Sequence, residues 1–264
     1  MANHWFRFKK FLIRQDRCAM KVGTDGVLLG ALANLPRAGR ARNGFSSAGQ
    51  LTGPYRMLDI GTGTGLVALM LAQRSAEQLA SGHDVRIDAV ELVSEAAGQA
   101  AENVAQSPWA DRIRVIRQDF LAFYPNCTRR YDLIVSNPPY FRNSLKSASS
   151  EKALARHGSD EFLRKLLEGS RRLLKPDGFC CFIIPFGVES DLETLAAGEN
   201  LAVRQRVSIR SKPGGKVIRQ CLTLGNAKRE AQGEVIEHEL AIYEPDGSYS
   251  KDFTMLLRPF YLKF

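Results

Sequence analysis

The sequence predicts a doubly wound α/β fold around a mostly parallel sheet. From residue 56 onward, short apolar runs alternate with segments whose apolar residues recur at helical spacing, which is the pattern of repeated βα units. The run at residues 179–184 is apolar throughout, as expected for a parallel strand covered on both faces. Strand-like runs at residues 203–209 and 217–224 flank a Lys-Pro-Gly-Gly turn, and they predict an antiparallel C-terminal hairpin.

The bounds of the individual strands and helices are predicted from apolar periodicity and from the capping and turn residues at their ends. The predicted core strands are residues 56–60, 85–90, 113–117, 131–136 and 179–184. The predicted helices are residues 66–80, 94–106 and 161–174. Ser94 is suited to cap the second helix, and Lys-Pro-Asp-Gly at residues 175–178 indicates a turn after the third.

The first 55 residues have a different character. Residues 5–22 are strand-like, and Thr24 or Asp25 can cap a helix that runs to about residue 34. A stretch rich in Gly, Ser and Arg follows without periodicity, and too little chain precedes it for an independent core. We therefore expect an N-terminal strand and helix extension at 1–36, a mobile loop at 37–55 and an α/β domain at 56–264.

The amino-acid composition indicates which kinds of partner and which cellular compartment to expect. Lys and Arg number 37 against 28 Asp and Glu, and this net charge of +9 favours a polyanionic partner. The five cysteines form no C-x-x-C pair, so neither zinc spacing nor a disulfide framework is present, and a reducing compartment is expected. No signal peptide or run of roughly 18 apolar residues is visible. We expect a cytoplasmic protein without a metal, a membrane anchor or an obligate protein partner.

A glycine-rich turn follows the first core strand, in the run Asp59-Ile-Gly61-Thr-Gly63-Thr-Gly65. Glycines here permit a tight turn and close approach of a ligand to the backbone. The nicotinamide fingerprint needs a small residue where Leu66 stands, so a dinucleotide is disfavoured. Glu91, at the end of the second strand, is placed to accept both hydroxyls of a ribose.

This glycine pattern resembles motif I of the class I S-adenosylmethionine-dependent methyltransferases. The resemblance implies a Rossmann-like, mostly parallel seven-stranded sheet and S-adenosyl-L-methionine as cofactor. It also implies that Asp59, the three glycines and Glu91 bind this cofactor, that the Asp119 carboxylate accepts from the adenine amine, and that Phe120 lines the adenine ring.

A second motif, Asn137-Pro138-Pro139-Tyr140, follows the fourth strand. Two prolines cannot continue a sheet ladder, so they form a rigid corner at the ligand-binding edge of the sheet. The Asn137 side-chain oxygen and the Pro138 carbonyl can accept both N–H bonds of a planar amine, and Tyr140 can stack on its ring. The motif resembles motif IV of amino-methyltransferases, which act on adenine N6, guanine N2 or glutamine; Asn137 then also lines the cofactor pocket.

Several features favour RNA as the substrate. The N-terminal run interleaves aromatic residues with Arg7, Lys9 and Lys10, as proteins that bind single strands do, although a strand packed onto the core is an equal alternative. Lys146, Lys152 and Arg156 follow the Pro-Pro corner in a segment that can close over a base, or that is simply a solvated loop. No large extra domain for DNA target recognition is evident.

Further residues resemble the bacterial tRNA1(Val) adenine-N6 methyltransferases almost from end to end. They are residues 8–11, 16–26, 58–71, 88–91, 103–113, 136–140 and 260–262. By this resemblance Lys21, Thr24 and Asp25 line the pocket near the methionine part of the cofactor. The substrate would be the adenosine just 3′ of the anticodon, at position 37, presented on the anticodon stem-loop of tRNA.

Two departures and three alternatives stay open. The 37–55 loop is longer than expected for this family, and residues 186–240 match only loosely. The same corner would also serve N2 methylation of guanine in ribosomal RNA or glutamine methylation of a release factor. An RNA-binding protein with a vestigial cofactor site is the non-enzymatic alternative, which the intact site residues disfavour.

Overall fold

The computed structural model describes residues 3–35, 53–78, 84–139, 149–228 and 234–264, and for residues 149–159 it describes the backbone alone. Its strands are β1 (Trp5–Arg7), β2 (Leu12–Arg14), β3 (Tyr55–Ile60), β4 (Val85–Glu91), β5 (Ile113–Arg117), β6 (Tyr131–Ser136), β7 (Leu174–Pro185), β8 (Leu201–Arg210), β9 (Val217–Asn226) and β10 (Ile236–Ala241). Its helices are α1 (Thr24–Leu32), α2 (Leu66–Gln78), α3 (Ser94–Ala105), α4 (Phe120–Asn126), α5 (Ser149–Leu173), α6 (Glu189–Gly198) and α7 (Lys251–Leu257).

The predicted α/β class with a mostly parallel sheet is confirmed. The main sheet has the order β10-β8-β9-β7-β6-β3-β4-β5, and β9 runs antiparallel to both β7 and β8. From β3, the strands β4 and β5 follow in one direction across the sheet, and β6 and β7 follow in the other direction. The strand order therefore reverses between β3 and β6. Ligands of open α/β sheets bind at such a point, beyond the carboxyl ends of the strands.

The sheet has eight strands in the described part of the chain, one more than the seven expected. The additional strand, β10, pairs in parallel with β8 at the edge. Its outward residues are charged, and Glu237 and Glu239 form ion pairs with Arg206 and Arg210 of β8. An edge strand held by ion pairs lacks the apolar run by which a buried strand is predicted.

Two apolar layers cover the sheet, as strand alternation requires. On β3, Met57 belongs to the layer beneath α1, α2 and α7, whereas Leu58 and Ile60 belong to the layer beneath α4, α5 and α6. On β7, Cys181 and Phe182 divide in the same way. Both faces of the central strands are therefore buried, in agreement with the unbroken apolar run at residues 179–184 of β7.

Some local expectations differ from the structure. Residues 175–178 lie within β7 and form an irregularity opposite β6 rather than a turn, because the pairing shifts register between Tyr131 and Leu133. Helices α4, α6 and α7 were not predicted, and α5 begins at Ser149, well before the expected residue 161. Helix α1 begins at Thr24, but its N-cap is Gly23 without a side-chain cap.

The N-terminal segment packs onto the α/β core. Strands β1 and β2 form a separate antiparallel hairpin, shorter than the strand-like 5–22 region predicted. Phe8, Phe11 and Ile13 of this segment and Val27 of α1 belong to the same buried cluster as Met57 of β3. The expected loop at 37–55 lies mostly outside the described residues, and the division at residue 36 stays a prediction.

Candidate active site

The glycine-rich turn between β3 and α2 leaves open space at the carboxyl edge of the sheet. Gly61, Gly63 and Gly65 have φ values of 71°, 56° and 82°, a region that disfavours other residues. A Cβ added at Gly61 or Gly63 would meet nothing within 4 Å. At Gly65 it would touch Ala100 at 3.5 Å, so this glycine, expected to contact the cofactor, faces α3 instead.

The buried side chain of Asp59 stabilises this turn by hydrogen bonds. Its carboxylate Oδ2 accepts from Thr62 Oγ1 at 2.6 Å and from the Ala68 N–H at 3.1 Å. The side chain is buried, and burial raises the pKa of Asp59 to about 7 although both hydrogen bonds oppose the rise. Asp59 therefore holds the shape of the turn, which differs from the direct cofactor contact expected for it.

Glu91 ends β4 and ties the glycine turn to the start of α3. Its Oε2 accepts from the Gly63 N–H at 2.8 Å, and its Oε1 accepts from the Val93 N–H at 2.9 Å. The residue is only 8% exposed, so its carboxylate is fixed in place. A carboxylate oxygen has a second lone pair, and Glu91 keeps acceptor capacity for a ribose hydroxyl.

Asp119 and Phe120 lie where β5 passes into α4. Asp119 is exposed, and its Oδ1 caps α4 by accepting from the Leu121 N–H at 2.9 Å. Phe120 is 6% exposed, and its ring packs beside Tyr124 and against Gly169 of α5. The Phe120 ring is therefore packed in the core, and the expectation that Phe120 lines the adenine stays a prediction.

The Pro-Pro corner follows β6 directly. Ser136 Oγ donates to the Ile60 carbonyl at 2.9 Å, which joins the end of β6 to the end of β3. Asn137 is half-buried, Pro138 is buried and Pro139 is exposed. Asn137 Nδ2 lies 3.9 Å from Met20 Sδ, so the amide nitrogen is turned to the N-terminal segment and Oδ1 is available as an acceptor. Tyr140 lies outside the described residues.

The N-terminal segment reaches this corner because α3 holds it. Asn103 accepts from the Arg14 N–H, and its Nδ2 donates both to the Arg14 carbonyl and to the Thr64 carbonyl of the glycine turn. Gln99 accepts from the Arg17 N–H and donates to Asp16 Oδ1. These buried amides connect the segment before Met20 to the turn.

Lys21, Thr24 and Asp25 stand near the start of α1. Lys21 and Thr24 are exposed, and Asp25 is half-buried. Asp25 Oδ2 forms an ion pair with Arg219 Nε of β9 at 2.9 Å. Because β9 begins where β7 ends, this pair lies at the same edge of the sheet as the Pro-Pro corner. No sequence signal pointed to Arg219.

The residues expected to bind RNA fall into three groups. Lys9 Nζ donates to the carbonyls of Arg258 and Phe264, and Lys10 forms an ion pair with Glu77 of α2, so the ammonium groups of both serve structural contacts. Arg7 is exposed on the outer face of the hairpin. Lys146 lies outside the described residues, and Lys152 and Arg156 lie in the part of α5 described by its backbone alone.

The aromatic residues of the N-terminal run have a structural role. Phe8 and Phe11 are buried and stack on each other with ring centroids 4.6 Å apart. Phe6 and Phe8 also contact Tyr261 of the C-terminal segment. For these rings, the alternative of a strand packed onto the core is correct. An open groove of about 480 Å³ is lined by Arg7 together with Trp5 and Arg14.

Two kinds of feature are absent from the part of the chain that the structure describes. No cluster of three or more His, Cys, Asp and Glu side chains is placed to hold a metal ion there. No described helix is long and apolar enough to cross a lipid bilayer.

Comparison with known proteins places the chain in a family. The methyltransferase small domain matches residues 50–185. A tRNA1(Val) (adenine(37)-N6)-methyltransferase of Bacteroides thetaiotaomicron is 43% identical over 99% of both chains. A protein of the same name from Yersinia enterocolitica is 40% identical over 98% of this chain and 93% of its own length.

Solved structures support the fold. A predicted O-methyltransferase from Agrobacterium tumefaciens aligns with a TM-score of 0.58 at 15% identity, over 89% of this chain and 96% of its own. A putative class I S-adenosylmethionine-dependent methyltransferase from Listeria monocytogenes aligns with a TM-score of 0.54 at 18% identity, over 73% of this chain and 60% of its own. From the sequence match and the shared architecture, the chain belongs to the methyltransferase small domain family.

Proposed function

We propose that the protein transfers a methyl group from S-adenosyl-L-methionine to N6 of adenosine 37 in tRNA1(Val). The identity of 40–43% over nearly the whole chain to proteins named for this reaction carries the proposal. The Asn-Pro-Pro corner beside an open glycine turn supports it independently, because these are the two parts that amine methylation needs. The basic net charge is suited to a tRNA substrate.

The residues at the glycine turn fit the cofactor. The space in front of Gly61 and Gly63 is open, since a Cβ placed at either would meet nothing within 4 Å, and the adenosine and methionine chain would pass across it. Glu91 would hold the ribose, Asp119 the adenine amine, and Asp25 with Lys21 the amino and carboxylate groups of the methionine part. Thr24 lies beside them, and Asp59 and Gly65 would act by shaping the turn. When bound, S-adenosyl-L-methionine supplies an electrophilic methyl group on a sulfonium.

The corner would activate the base amine. The lone pair of an adenine N6 is delocalised into the ring, so the free amine is a poor nucleophile. Asn137 Oδ1 and the Pro138 carbonyl would accept its two N–H bonds and favour a nitrogen whose lone pair is localised. Tyr140 would stack on the base. No strong general base is needed, because the nitrogen becomes acidic only after it has formed the new bond, and catalysis rests mainly on positioning.

The RNA contacts are proposed from charge and exposure. Arg7 is the one member of the N-terminal set whose side chain we expect to meet a phosphate, since the ammonium groups of Lys9 and Lys10 have protein partners. Lys146, Lys152 and Arg156 follow the corner and would approach the anticodon stem-loop. Anticodon-loop bases are largely unpaired, so little pairing energy opposes their extrusion. A tRNA substrate favours a cytoplasmic location.

The test is nucleoside mass spectrometry of valine tRNA from a strain that lacks the gene. We expect N6-methyladenosine to disappear from that tRNA and to return when the wild-type gene is supplied. Complementation with an Asn137→Ala gene should fail to restore it. N6-methyladenosine at its normal level in the deletion strain would refute the proposal, and a loss of N2-methylguanosine from ribosomal RNA instead would favour the guanine alternative.

A further inference from the structure

Two apolar side chains are exposed together where β7 and β9 meet the carboxyl edge of the sheet. Phe186 follows the last residue of β7 and is 54% exposed, and Ile218 of β9 is 38% exposed. The Phe186 N–H donates to the Ile218 carbonyl at 3.2 Å, so the two residues are held as neighbours. We name this surface the Phe186–Ile218 platform. Neither the family motifs nor the cofactor pocket assigns it a role.

The platform stands beside the Pro-Pro corner. Strands β6 and β7 are adjacent and parallel, and Ser136 pairs with Phe182. Neighbouring strands lie about 4.8 Å apart, so the chain after β7 leaves the sheet at the same edge as the chain after β6. Asn137 follows Ser136 directly, and Phe186 lies four residues beyond Phe182. The exposed ring therefore lies at the same edge of the sheet as the corner, roughly 10 Å further along the strand direction, which is within the reach of a neighbouring nucleotide.

A cation lies beside the platform. Arg219 follows Ile218, and its Nη1 donates to the Ile218 carbonyl at 2.8 Å while its Nε donates to Asp25 Oδ2 at 2.9 Å. These two bonds use two of the five N–H donors of a guanidinium. The side chain is 36% exposed. The Ile218 carbonyl accepts from both the Phe186 N–H and Arg219 Nη1, so the guanidinium lies close to the backbone of the platform, although the Ile218 and Arg219 side chains leave opposite faces of β9. Proteins that bind single-stranded nucleic acid combine exposed aromatic rings with cations.

We propose that the Phe186–Ile218 platform binds the nucleotide adjacent to the target adenosine. The base of this nucleotide stacks on Phe186, and its phosphate meets Arg219. Extrusion of a base removes the stacking partner of its neighbour, and the ring offsets this loss. The inference rests on the proposed function because it presumes an RNA substrate, and it adds a contact outside the catalytic corner.

The first experiment compares Phe186→Ala with the wild type in binding unmodified valine tRNA in the presence of S-adenosylhomocysteine. Loss of base stacking predicts a roughly tenfold to hundredfold rise in the RNA dissociation constant, with cofactor affinity unchanged. Phe186→Tyr should restore affinity because it keeps the ring. Met255→Ala on α7 is the matched control, since Met255 is equally exposed at 54%, and it should bind RNA as the wild type does.

The second experiment removes the base from the RNA instead. Two tRNA transcripts are made abasic, one immediately 5′ and the other immediately 3′ of the target adenosine. One of the two should bind the wild type as weakly as intact RNA binds Phe186→Ala. Combining that abasic RNA with Phe186→Ala should cause no further loss, because both changes remove the same contact. For the phosphate contact, Arg219→Gln should reduce the slope of log affinity against log salt by about one unit.

Three results would overturn the proposal. These are unchanged RNA affinity in Phe186→Ala, additive losses for both abasic positions, or a tenfold loss of cofactor affinity in Phe186→Ala, which would place the ring in the cofactor pocket. An unchanged salt slope in Arg219→Gln would overturn the phosphate contact. Methylation of valine tRNA by the wild type tests the proposed function separately, so a silent Phe186→Ala in an active enzyme counts against the platform alone.

Discussion

Met20 Sδ lies 3.9 Å from Asn137 Nδ2, across 117 residues of sequence. This contact turns the amide nitrogen of Asn137 towards the N-terminal segment and leaves its oxygen for the proposed contact with the substrate amine. Asn103 and Gln99 of α3 anchor the chain before Met20. The N-terminal segment thus contributes to the orientation of the side chain on which the proposed chemistry depends.

We expect Met20→Ala to lower kcat about twofold to fivefold, since a weak N–H···S contact that orients Asn137 is lost. The cofactor dissociation constant should not change, because Met20 contacts the amide and not the glycine turn. Met20→Leu, which keeps the bulk without the sulfur acceptor, separates packing from hydrogen bonding. Steady-state methylation of valine tRNA measures both variants. A wild-type kcat in Met20→Ala would show that Asn137 is oriented without this contact.

The glycine turn offers a test with an internal control. Gly61 and Gly247 both have positive φ, 71° and 89°, and a Cβ at either would meet nothing within 4 Å. Alanine at each position should cost about 1–2 kcal/mol of stability from backbone strain. Only Gly61→Ala should also weaken S-adenosylhomocysteine binding, by tenfold or more, because its methyl group enters the cofactor space. Calorimetric titration decides; equal affinities in the two variants would contradict the cofactor placement.

The buried carboxyl of Asp59 predicts a pH dependence of stability. Its pKa in the folded protein, about 7, lies above its ordinary value of 3.8. Between these values the folded state holds a proton that the unfolded state has released, so stability from this group falls as pH rises through the window. The slope is at most about 1.4 kcal/mol per pH unit.

Asp59→Asn removes that titration. Urea unfolding of both proteins from pH 4 to pH 8 should show the wild type losing stability relative to the variant as pH rises to about 7. Above that pH the difference should stay constant. A difference that is constant over the whole range would mean that the pKa of Asp59 is not raised by burial.

We expect substitutions of Arg7 and Lys10 to differ in their effect on the salt dependence of RNA binding. Arg7→Ala should reduce the slope of log RNA affinity against log salt by about 0.7–0.9, the value of one lost phosphate contact. Lys10→Ala removes the same charge from the same run but should leave the slope unchanged, because its ammonium group pairs with Glu77. Filter binding at several salt concentrations measures both. A slope change in Lys10→Ala alone would reverse this assignment.

The order of strands and helices in the α/β core could be predicted because each βα unit has its own apolar pattern and turn residues. The predicted strands at residues 113–117 and 131–136 coincide with β5 and β6, each a short run in which apolar residues are the majority and turn residues stand at its ends. β10 was missed because charged side chains on an edge strand lack that pattern. α4 was missed although Asp119 is its N-cap, because the helix has only seven residues and contains Pro125, which is a signal against a helix.

The site was predictable where its parts are local. The glycine turn, Glu91 and the Pro-Pro corner each belong to a single βα connection, so a short motif identifies them. The Asp25–Arg219 ion pair joins residues 194 positions apart, and no local sequence pattern predicts such a contact. The burial of Phe120 was equally hidden, since a phenylalanine after a strand end can face either a ligand or the core.

The most direct test of the account is methylation of unmodified valine tRNA by the purified protein with S-adenosyl-L-methionine. Mass spectrometry of nuclease fragments then locates the product. We predict one N6-methyladenosine at position 37 with the wild type, and a loss of turnover by orders of magnitude in Asn137→Ala while S-adenosylhomocysteine binding stays near normal. Methylation at another base, or full activity in Asn137→Ala, would contradict the central claim that this corner presents the adenine amine.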